Sequence, residues 1–218
     1  MKKTTKPETR PPAVAAPRPA RLRKQEQILQ EAEAQFARSG FEGVSLDSIA
    51  AALGVSRQNM LYYFASKEEL YAAVLDSVLA AWLDSMDTMA RSSDPQTAVS
   101  NYVRAKLRFS QERPSGSAVF TREVMAGAPR YAEKIASQVT PHLRSEVRAF
   151  QKWARQGLIA KLDFTHLMFV IWSSTQAYAD LAPQFALLIG KKKLGDTDFE
   201  AAHALITQLV MTSLRRVD

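Results

Sequence analysis

Several residue types and patterns that mark particular protein classes are missing from this chain of 218 residues. It has no cysteine, which excludes disulfide-stabilised folds and cysteine-ligated metal sites and is compatible with a reducing cytoplasm. Its three histidines, His142, His166 and His203, are widely separated and lack metal-ligand spacing. No run of about 18 apolar residues predicts a membrane span, and the charged N-terminal stretch differs from a secretory signal. We expect a cytoplasmic protein without a metal or cofactor.

Signatures of catalysis are also scarce. The chain contains none of the glycine motifs of phosphate loops, dinucleotide-binding folds or nucleophile elbows. The pairs Asp84 with Asp87 and Asp196 with Asp198 are explained better as helix caps and solvated helix ends than as acid–base groups. An enzyme or ligand scavenger is therefore the least supported function.

What is present is a set of helix-forming patterns. The chain is 46% hydrophobic with only eight glycines, and its apolar residues recur at helical rather than alternating spacing. The sequence therefore predicts an all-α fold. Beyond residue 65, helices are predicted over residues 66–89, 95–111, 118–125, 131–156 (bent or divided by Pro141), 164–189 and 199–210.

The N-terminal part predicts two short helices joined by a glycine turn. Apolar residues between Leu46 and Leu53 repeat at helical spacing, Gly54 ends that helix, and Ser56 caps the next one. The second helix, from Arg57 to about Tyr62, is too short to be stable alone and carries mainly polar or amphipathic side chains. This pattern is typical of a helix-turn-helix, whose second helix enters the DNA major groove. A small helical core with a solvated face is the alternative.

Residues 21–71 resemble the DNA-binding domain of the tetracycline-repressor-like (TetR) family of transcriptional regulators. The shared features are a long first helix, the GVS turn at residues 54–56, the Tyr63-Phe64 pair and the SKEEL string from Ser66. Two positions differ from this family pattern. Many members carry an aromatic residue where this chain has Leu61, and a small residue where it has Gln58. The resemblance implies an N-terminal helix-turn-helix domain over residues 21–66.

Three strings resemble the pyrimidine-utilisation repressor branch of that family. They are NMLYYF at residues 59–64, FTREVMAGAP at 120–129 and FVIWSSTQAYAD at 169–180. The resemblance therefore extends from about residue 21 to the C-terminus, and it implies a helical ligand-binding and dimerisation domain over residues 67–218.

The predicted DNA contacts fall into two groups. Arg57, Gln58 and Asn59 are predicted to meet base edges, because guanidinium and amide groups match the hydrogen-bond patterns of guanine and adenine. Contacts to phosphates are predicted for Ser45, Tyr62, Tyr63 and Lys67.

Positive charge is concentrated at the N-terminus. Residues 1–24 carry eight basic side chains against the single acidic Glu8, so they account for the whole formal net charge of +7. Five prolines and few apolar residues disfavour helix and collapse there. We predict a disordered basic tail over residues 1–20, which either adds phosphate contacts or only improves solubility.

Deletion of residues 1–18 distinguishes these two roles. If the tail binds phosphates, its removal weakens DNA binding and reduces the slope of log affinity against log salt by about 0.9 for each phosphate that is no longer neutralised. Binding to one duplex over a salt series measures that slope. A slope that stays the same removes the tail from DNA recognition.

A ligand site is predicted on a helix near the C-terminus. Trp172, Gln176 and Asp180 recur every four residues and share one helical face, with Thr175 beside them. An indole can stack on a planar heterocycle while an amide pairs with its carbonyl and N–H groups. The resemblance makes uracil or thymine the expected effector. Weaker candidates, each with an alternative role in packing or ion pairing, are Trp82, Phe120, Glu123, Met125 and Tyr178.

Residues 164–189 and 199–210 are apolar on more than one helical face, so they need a second surface to cover them. The resemblance implies a four-helix homodimer interface, and an interior helix of a monomer is the alternative. Together these features predict a repressor that a small molecule releases from operator DNA. A TetR-like regulator of an unrelated effector and a nonspecific architectural DNA-binding protein are the alternatives.

Overall fold

The computed structural model describes residues 19–86, 89 and 92–216. All regular elements within these ranges are helices, which confirms the predicted all-α class. In chain order they are α1 (Pro19–Ser39), α2 (Leu46–Ala52), α3 (Arg57–Tyr63), α4 (Lys67–Met86), α5 (Pro95–Glu112), α6 (Pro114–Met125), α7 (Ala132–Lys134), α8 (Thr140–Arg155), α9 (Phe164–Asp180), α10 (Ala182–Leu188) and α11 (Asp196–Ser213). A π-helical segment, Ile135–Val139, joins α7 to α8.

The predicted basic tail lies outside the described residues as far as residue 18. Its last two residues, Pro19 and Ala20, already belong to α1. Proline is tolerated there because the first turn of a helix does not use its backbone N–H groups.

Caps and a glycine turn define the helices α2 and α3. The Ser45 hydroxyl accepts a hydrogen bond from the Ser48 N–H at 3.0 Å, and the Ser56 hydroxyl accepts one from the Asn59 N–H at 3.1 Å. Gly54 adopts a φ of +63°, which a residue with a side chain rarely adopts, so the chain can turn sharply between the two helices. These short helices are held against α1 and α4 by fully buried apolar residues that include Ile28, Phe36, Ile49, Met60 and Leu70.

In the rest of the chain, α5 packs against α4, α6, α9 and α11. Helix α6 begins at Pro114 rather than near residue 118, because a proline can open the first helical turn. The predicted helix over residues 131–156 is divided just before Pro141 by the π-helical segment. The predicted segment 164–189 is two helices, with the break at Leu181 before the proline of α10. No helix formed by the described residues is long and apolar enough to cross a membrane.

Candidate DNA-reading helix and effector cavity

Helix α3 presents its polar side chains together on one exposed surface. Met60 is fully buried and anchors the helix, whereas Arg57, Gln58 and Asn59 are exposed. Arg57 forms an ion pair with Asp47 at 2.8 Å, but both side chains are about 60% exposed. Surface pairs of this kind contribute little to stability, so the guanidinium can exchange Asp47 for a nucleic-acid partner at small cost.

The start of α1 lies beside this surface. The Arg21 guanidinium carbon lies 5.3 Å from the centre of the Tyr62 ring, and Tyr62 packs edge-on against Tyr63 at 5.1 Å. Tyr62 is 64% exposed. The described chain therefore begins next to the exposed face of α3.

The two other predicted phosphate contacts have structural partners in the protein. Ser45 caps α2, as described above. The Lys67 ammonium donates to the Phe41 carbonyl at 3.0 Å and lies 4.2 Å from the Phe41 ring centre. Lys67 thus ties the start of α4 to the loop after α1, whereas Arg57, Gln58, Asn59 and Tyr62 are directed to solvent.

A cavity of about 560 Å³ opens between α6, the π-helical segment and α9. We call it the α6–α9 cavity. Six of the predicted ligand contacts line it together: Trp82, Phe120, Met125, Trp172, Gln176 and Asp180. Behind Trp82, Phe120 and Gln176 lies a narrow recess of about 10 Å³, which has room for one water-sized group. The further residues that line the α6–α9 cavity are Thr121, Val124, Ile135, Val139, Ser173, Ala177 and Leu181.

A directed chain of hydrogen bonds forms the polar part of this cavity. The Gln176 amide donates to the Thr121 hydroxyl at 2.7 Å, and that hydroxyl donates to Asp180 at 2.8 Å. Ser117 donates to the other Asp180 oxygen at 3.0 Å. We call Thr121, Gln176 and Asp180 the polar seam. These bonds fix the orientation of the Gln176 amide.

Aromatic side chains form the wall next to the polar seam. Trp82 lies 5.4 Å from Trp172 in an edge-on arrangement and 6.1 Å from Phe120, measured between ring centres. The Trp172 indole N–H donates to the Tyr102 hydroxyl at 2.6 Å. Trp172 therefore offers a ligand its ring rather than its N–H group.

A buried lysine, absent from the sequence prediction, faces the recess. Lys106 on α5 is 2% exposed, and its ammonium nitrogen lies 3.9 Å from the centre of the Trp82 ring. Burial holds the pKa of Lys106 well below its ordinary value, although Glu146 and Asp180 partly oppose that shift. The neutral amine is thereby favoured. The signal in the sequence was a lysine on the apolar face of an otherwise amphipathic helix.

Glu146 on α8 is the second buried charge that sequence analysis missed. It is 3% exposed, and its carboxyl group lacks a well-formed hydrogen bond among the described residues. Burial raises the pKa of Glu146 to about 8, and the nearby Tyr102 and Lys106 offset only part of that effect. Burial therefore shifts both Glu146 and Lys106 towards their neutral forms.

Three predicted ligand contacts lie away from the cavity. Glu123 is buried and accepts hydrogen bonds from the Tyr71 hydroxyl at 3.1 Å and the Arg130 N–H at 2.7 Å. Thr175 is fully buried, and its hydroxyl donates to the Ile171 carbonyl of its own helix at 2.8 Å. Tyr178 packs between Phe185 and Phe199. Met125, in contrast, lines the cavity and is 83% exposed. In the part of the chain described, no group of histidine and carboxylate side chains is arranged to hold a metal ion.

Comparison with known proteins identifies the family of this chain. Residues 28–74 match the model of bacterial regulatory proteins of the TetR family, and residues 75–216 match the model of the C-terminal region of YcdC-like proteins. The chain is also 34% identical over 192 residues to the HTH-type transcriptional regulator RutR of Escherichia coli K12, covering 88% of this chain and 91% of that protein. The chain belongs to the TetR family of transcriptional regulators.

Solved structures of other transcriptional regulators share the fold at low identity. PfmR from Thermus thermophilus superimposes with a TM-score of 0.71 at 20% identity, covering 88% of this chain and 98% of that one. KstR2 of Mycobacterium tuberculosis gives 0.69 at 17% identity, covering 89% and 96%. These similarities confirm the N-terminal helix-turn-helix and the C-terminal helical domain.

In this TetR-family protein, a partly buried ion pair links the helix-turn-helix region to the other helices. Arg113, between α5 and α6, donates to Glu33 of α1 at 2.6 and 3.0 Å. It also donates to the carbonyl and hydroxyl oxygens of Ser77 on α4 at 3.0 and 2.9 Å. Ser115 donates to the second Glu33 oxygen at 2.6 Å. The Arg113 guanidinium therefore connects α1 and α4 to the junction of α5 and α6.

An exposed apolar surface follows α9 and α11. Val170 on α9 is 61% exposed, and Leu205 and Leu209 on α11 are 55% and 61% exposed. Packing within the chain leaves these side chains uncovered, although apolar surface favours burial. This is the surface that the sequence predicted to require a second covering partner.

Proposed function

We propose that this TetR-family regulator is a homodimeric repressor whose effector is a neutral planar heterocycle with adjacent carbonyl and N–H groups, uracil or thymine being the first candidates. The observation that carries the proposal is the oriented Gln176 amide beside the Trp172 ring. With one N–H engaged by Thr121, the amide keeps a second N–H and a carbonyl oxygen. That donor and acceptor match the C=O and N–H groups of a lactam or imide.

The charge of the site favours a neutral effector. Asp180 is part of the polar seam, and an anionic ligand would be repelled by its carboxylate. The nearby cationic candidate, Lys106, has a lowered pKa that favours its neutral amine. A ligand carbonyl near the recess would accept a hydrogen bond from that amine at less desolvation cost than a carboxylate. The resemblance to the pyrimidine-utilisation repressors supports the same class of ligand.

A homodimer would cover the exposed apolar surface and would present two α3 helices to the DNA. Covering α9 and α11 with the same helices of a second copy buries Val170, Leu205 and Leu209. The two α3 helices would then enter successive major grooves about 34 to 36 Å apart. The protein would act in the cytoplasm, where its DNA is.

Release of DNA requires the effector to bind one arrangement of the helices better than another. Helix α6 connects the effector site to α4. Its Thr121 belongs to the polar seam, and its Glu123 accepts a hydrogen bond from Tyr71 of α4. A movement of α6 that improves the ligand contacts would therefore also move α4. A shift from 1:99 to 99:1 between two states needs a difference of about 5.5 kcal/mol in effector binding.

Thermal unfolding of the purified protein tests the effector. Uracil or thymine at 100 times its dissociation constant should stabilise the folded state by about 2.7 kcal/mol and raise the melting temperature. Gln176→Ala should abolish the shift, because it removes both groups that pair with the ring. Gln151→Ala, at an exposed position of α8, is the matched control and should retain the shift. No shift with either pyrimidine would reject these effectors and leave the family assignment intact.

Base reading by α3 is tested separately with Gln58→Ala. Because Gln58 is exposed, the variant should fold normally. A bidentate contact to adenine provides about 1 to 3 kcal/mol of discrimination, so affinity for an operator selected from random duplexes should fall about 5- to 150-fold. Binding to unrelated DNA should barely change, and Gln27→Ala on α1 should alter neither. An equal loss on all duplexes would show that Gln58 contacts only the backbone.

A further inference from the structure

The α6–α9 cavity is larger than a single pyrimidine base requires. Its volume of about 560 Å³ lies within the range of about 300 to 1,000 Å³ that holds drug-sized ligands. Uracil and thymine are single rings with short substituents. A base paired with Gln176 would leave much of the cavity to water.

The lining that remains beyond such a ring is apolar. The hydrogen-bonding side chains of the polar seam lie along the contact between α6 and α9. The rest of the wall is dominated by Val124 and Met125 of α6, Ile135 and Val139 of the π-helical segment, and Leu181 after α9. Water held against these side chains is less favourable than an apolar group in the same place.

We propose that the effector is a planar lactam or imide that carries an apolar substituent, with the ring on the polar seam and the substituent against this apolar lining. The proposal rests on the proposed function for the placement of the ring. It extends that function by naming a class of ligand that uracil and thymine do not fully represent.

A sugar is a poor alternative for the substituent. Each ribose hydroxyl placed against Val124, Ile135 or Val139 would lose its hydrogen bonds to water without a partner in the wall. The apolar lining thus selects alkyl or aryl groups over nucleosides. The exposed Met125 suits substituents of variable shape, because a methionine side chain adapts to irregular neighbours.

The test is titration calorimetry of the full-length protein with uracil, its 5- and 6-methyl, ethyl, propyl and benzyl derivatives, uridine, and 4-propylphenol. Each buried methylene should tighten binding about threefold to fourfold. A propyl derivative at the preferred ring position should therefore bind at least about 20-fold more tightly than uracil. Uridine and 4-propylphenol should both bind more weakly than that derivative, because one lacks the apolar group and the other lacks the imide.

Val124→Gln tests the position of the substituent. Val124 is part of the apolar lining and partly exposed, so a glutamine there is compatible with folding. In the variant, the ratio of the affinity for the propyl derivative to the affinity for uracil should fall at least about fivefold. Leu158→Gln, an equivalent change at an exposed leucine outside the cavity, should preserve that preference.

The outcomes separate this inference from the proposed function. If uracil binds and every substituent weakens binding, the pyrimidine effector stands and the extended class is overturned. If no imide binds, substituted or not, the proposed effector fails and this inference fails with it. If 4-propylphenol binds as tightly as the propyl imide, the cavity recognises apolar shape alone and the imide class is wrong.

Discussion

Replacing Arg113 by methionine is expected to lower the free energy of unfolding by about 3 kcal/mol. Methionine preserves most of the side-chain volume but removes the charge that compensates Glu33. Glu33 is only 7% exposed, and breaking a buried ion pair leaves an unpaired charge at a cost of about 3 to 5 kcal/mol. The lower end applies because Ser115 still donates to Glu33 and Arg113 itself is partly exposed. Chemical denaturation at pH 7 measures the loss.

The double variant Arg113→Met with Glu33→Leu identifies the cause. Removing both charges leaves no unpaired carboxylate, so the double variant should recover most of the stability lost in the single variant. If the double variant is as unstable as Arg113→Met, packing at the junction of α5 and α6 is responsible rather than charge. Arg108→Met, at an exposed arginine of α5 that pairs with Glu112, is the control and should change stability by less than about 1 kcal/mol.

The same ion pair bears on regulation. Arg113 contacts α1 through Glu33 and α4 through Ser77, so it constrains how the helix-turn-helix region sits on the other helices. Gly116 makes this arrangement possible, because a Cβ there would lie 3.0 Å from two Arg113 side-chain atoms and 3.1 Å from Val78. Within the proposed mechanism, Arg113→Met should therefore weaken the effect of the ligand on DNA affinity as well as stability.

The helix-turn-helix was predictable because its signals are local. Ser45 and Ser56 cap their helices through neighbours three residues away, and Gly54 supplies its turn without help from distant residues. The exposed face of α3 followed from the polarity of residues 57–59. Local signals did not show the hydrogen bond from Lys67 to the Phe41 carbonyl, because these two residues are 26 positions apart in the sequence.

The cavity was only partly predictable because most of its geometry is tertiary. Helical spacing placed Trp172, Gln176 and Asp180 on one face, and all three line the cavity. Spacing alone did not show that Thr121, on another helix, orients Gln176. Spacing also did not show that Glu123 accepts hydrogen bonds from Tyr71 and Arg130, which belong to other parts of the chain.

Replacing Glu146 by glutamine is expected to stabilise the protein relative to the unmodified chain as the pH rises. The pKa of Glu146 is raised from 4.5 to about 8 in the folded state. Between these values the folded state binds more protons than the unfolded state, so the free energy of unfolding contributed by this group falls with increasing pH. Glutamine keeps the size and polarity of the neutral acid but cannot ionise. Its advantage should therefore grow between pH 5 and pH 8, by about 3 kcal/mol in total.

The comparison must be made as a difference between variant and unmodified protein at each pH. Because the pKa of Lys106 is lowered in the folded state, the contribution of Lys106 to the free energy of unfolding rises with pH up to its ordinary pKa. In the unmodified protein, this rise masks the fall that Glu146 contributes. Tyr102 and Asp180 also lie near this pair, and subtraction removes the contributions that both proteins share. Glu133→Gln, at an exposed position of α7, provides the control, because its side chain is solvated in both states. A difference that stays flat from pH 5 to pH 8 for Glu146→Gln would mean that the buried carboxyl is ionised and paired with Lys106, and that the recess behind Trp82 contains a cation rather than a neutral amine.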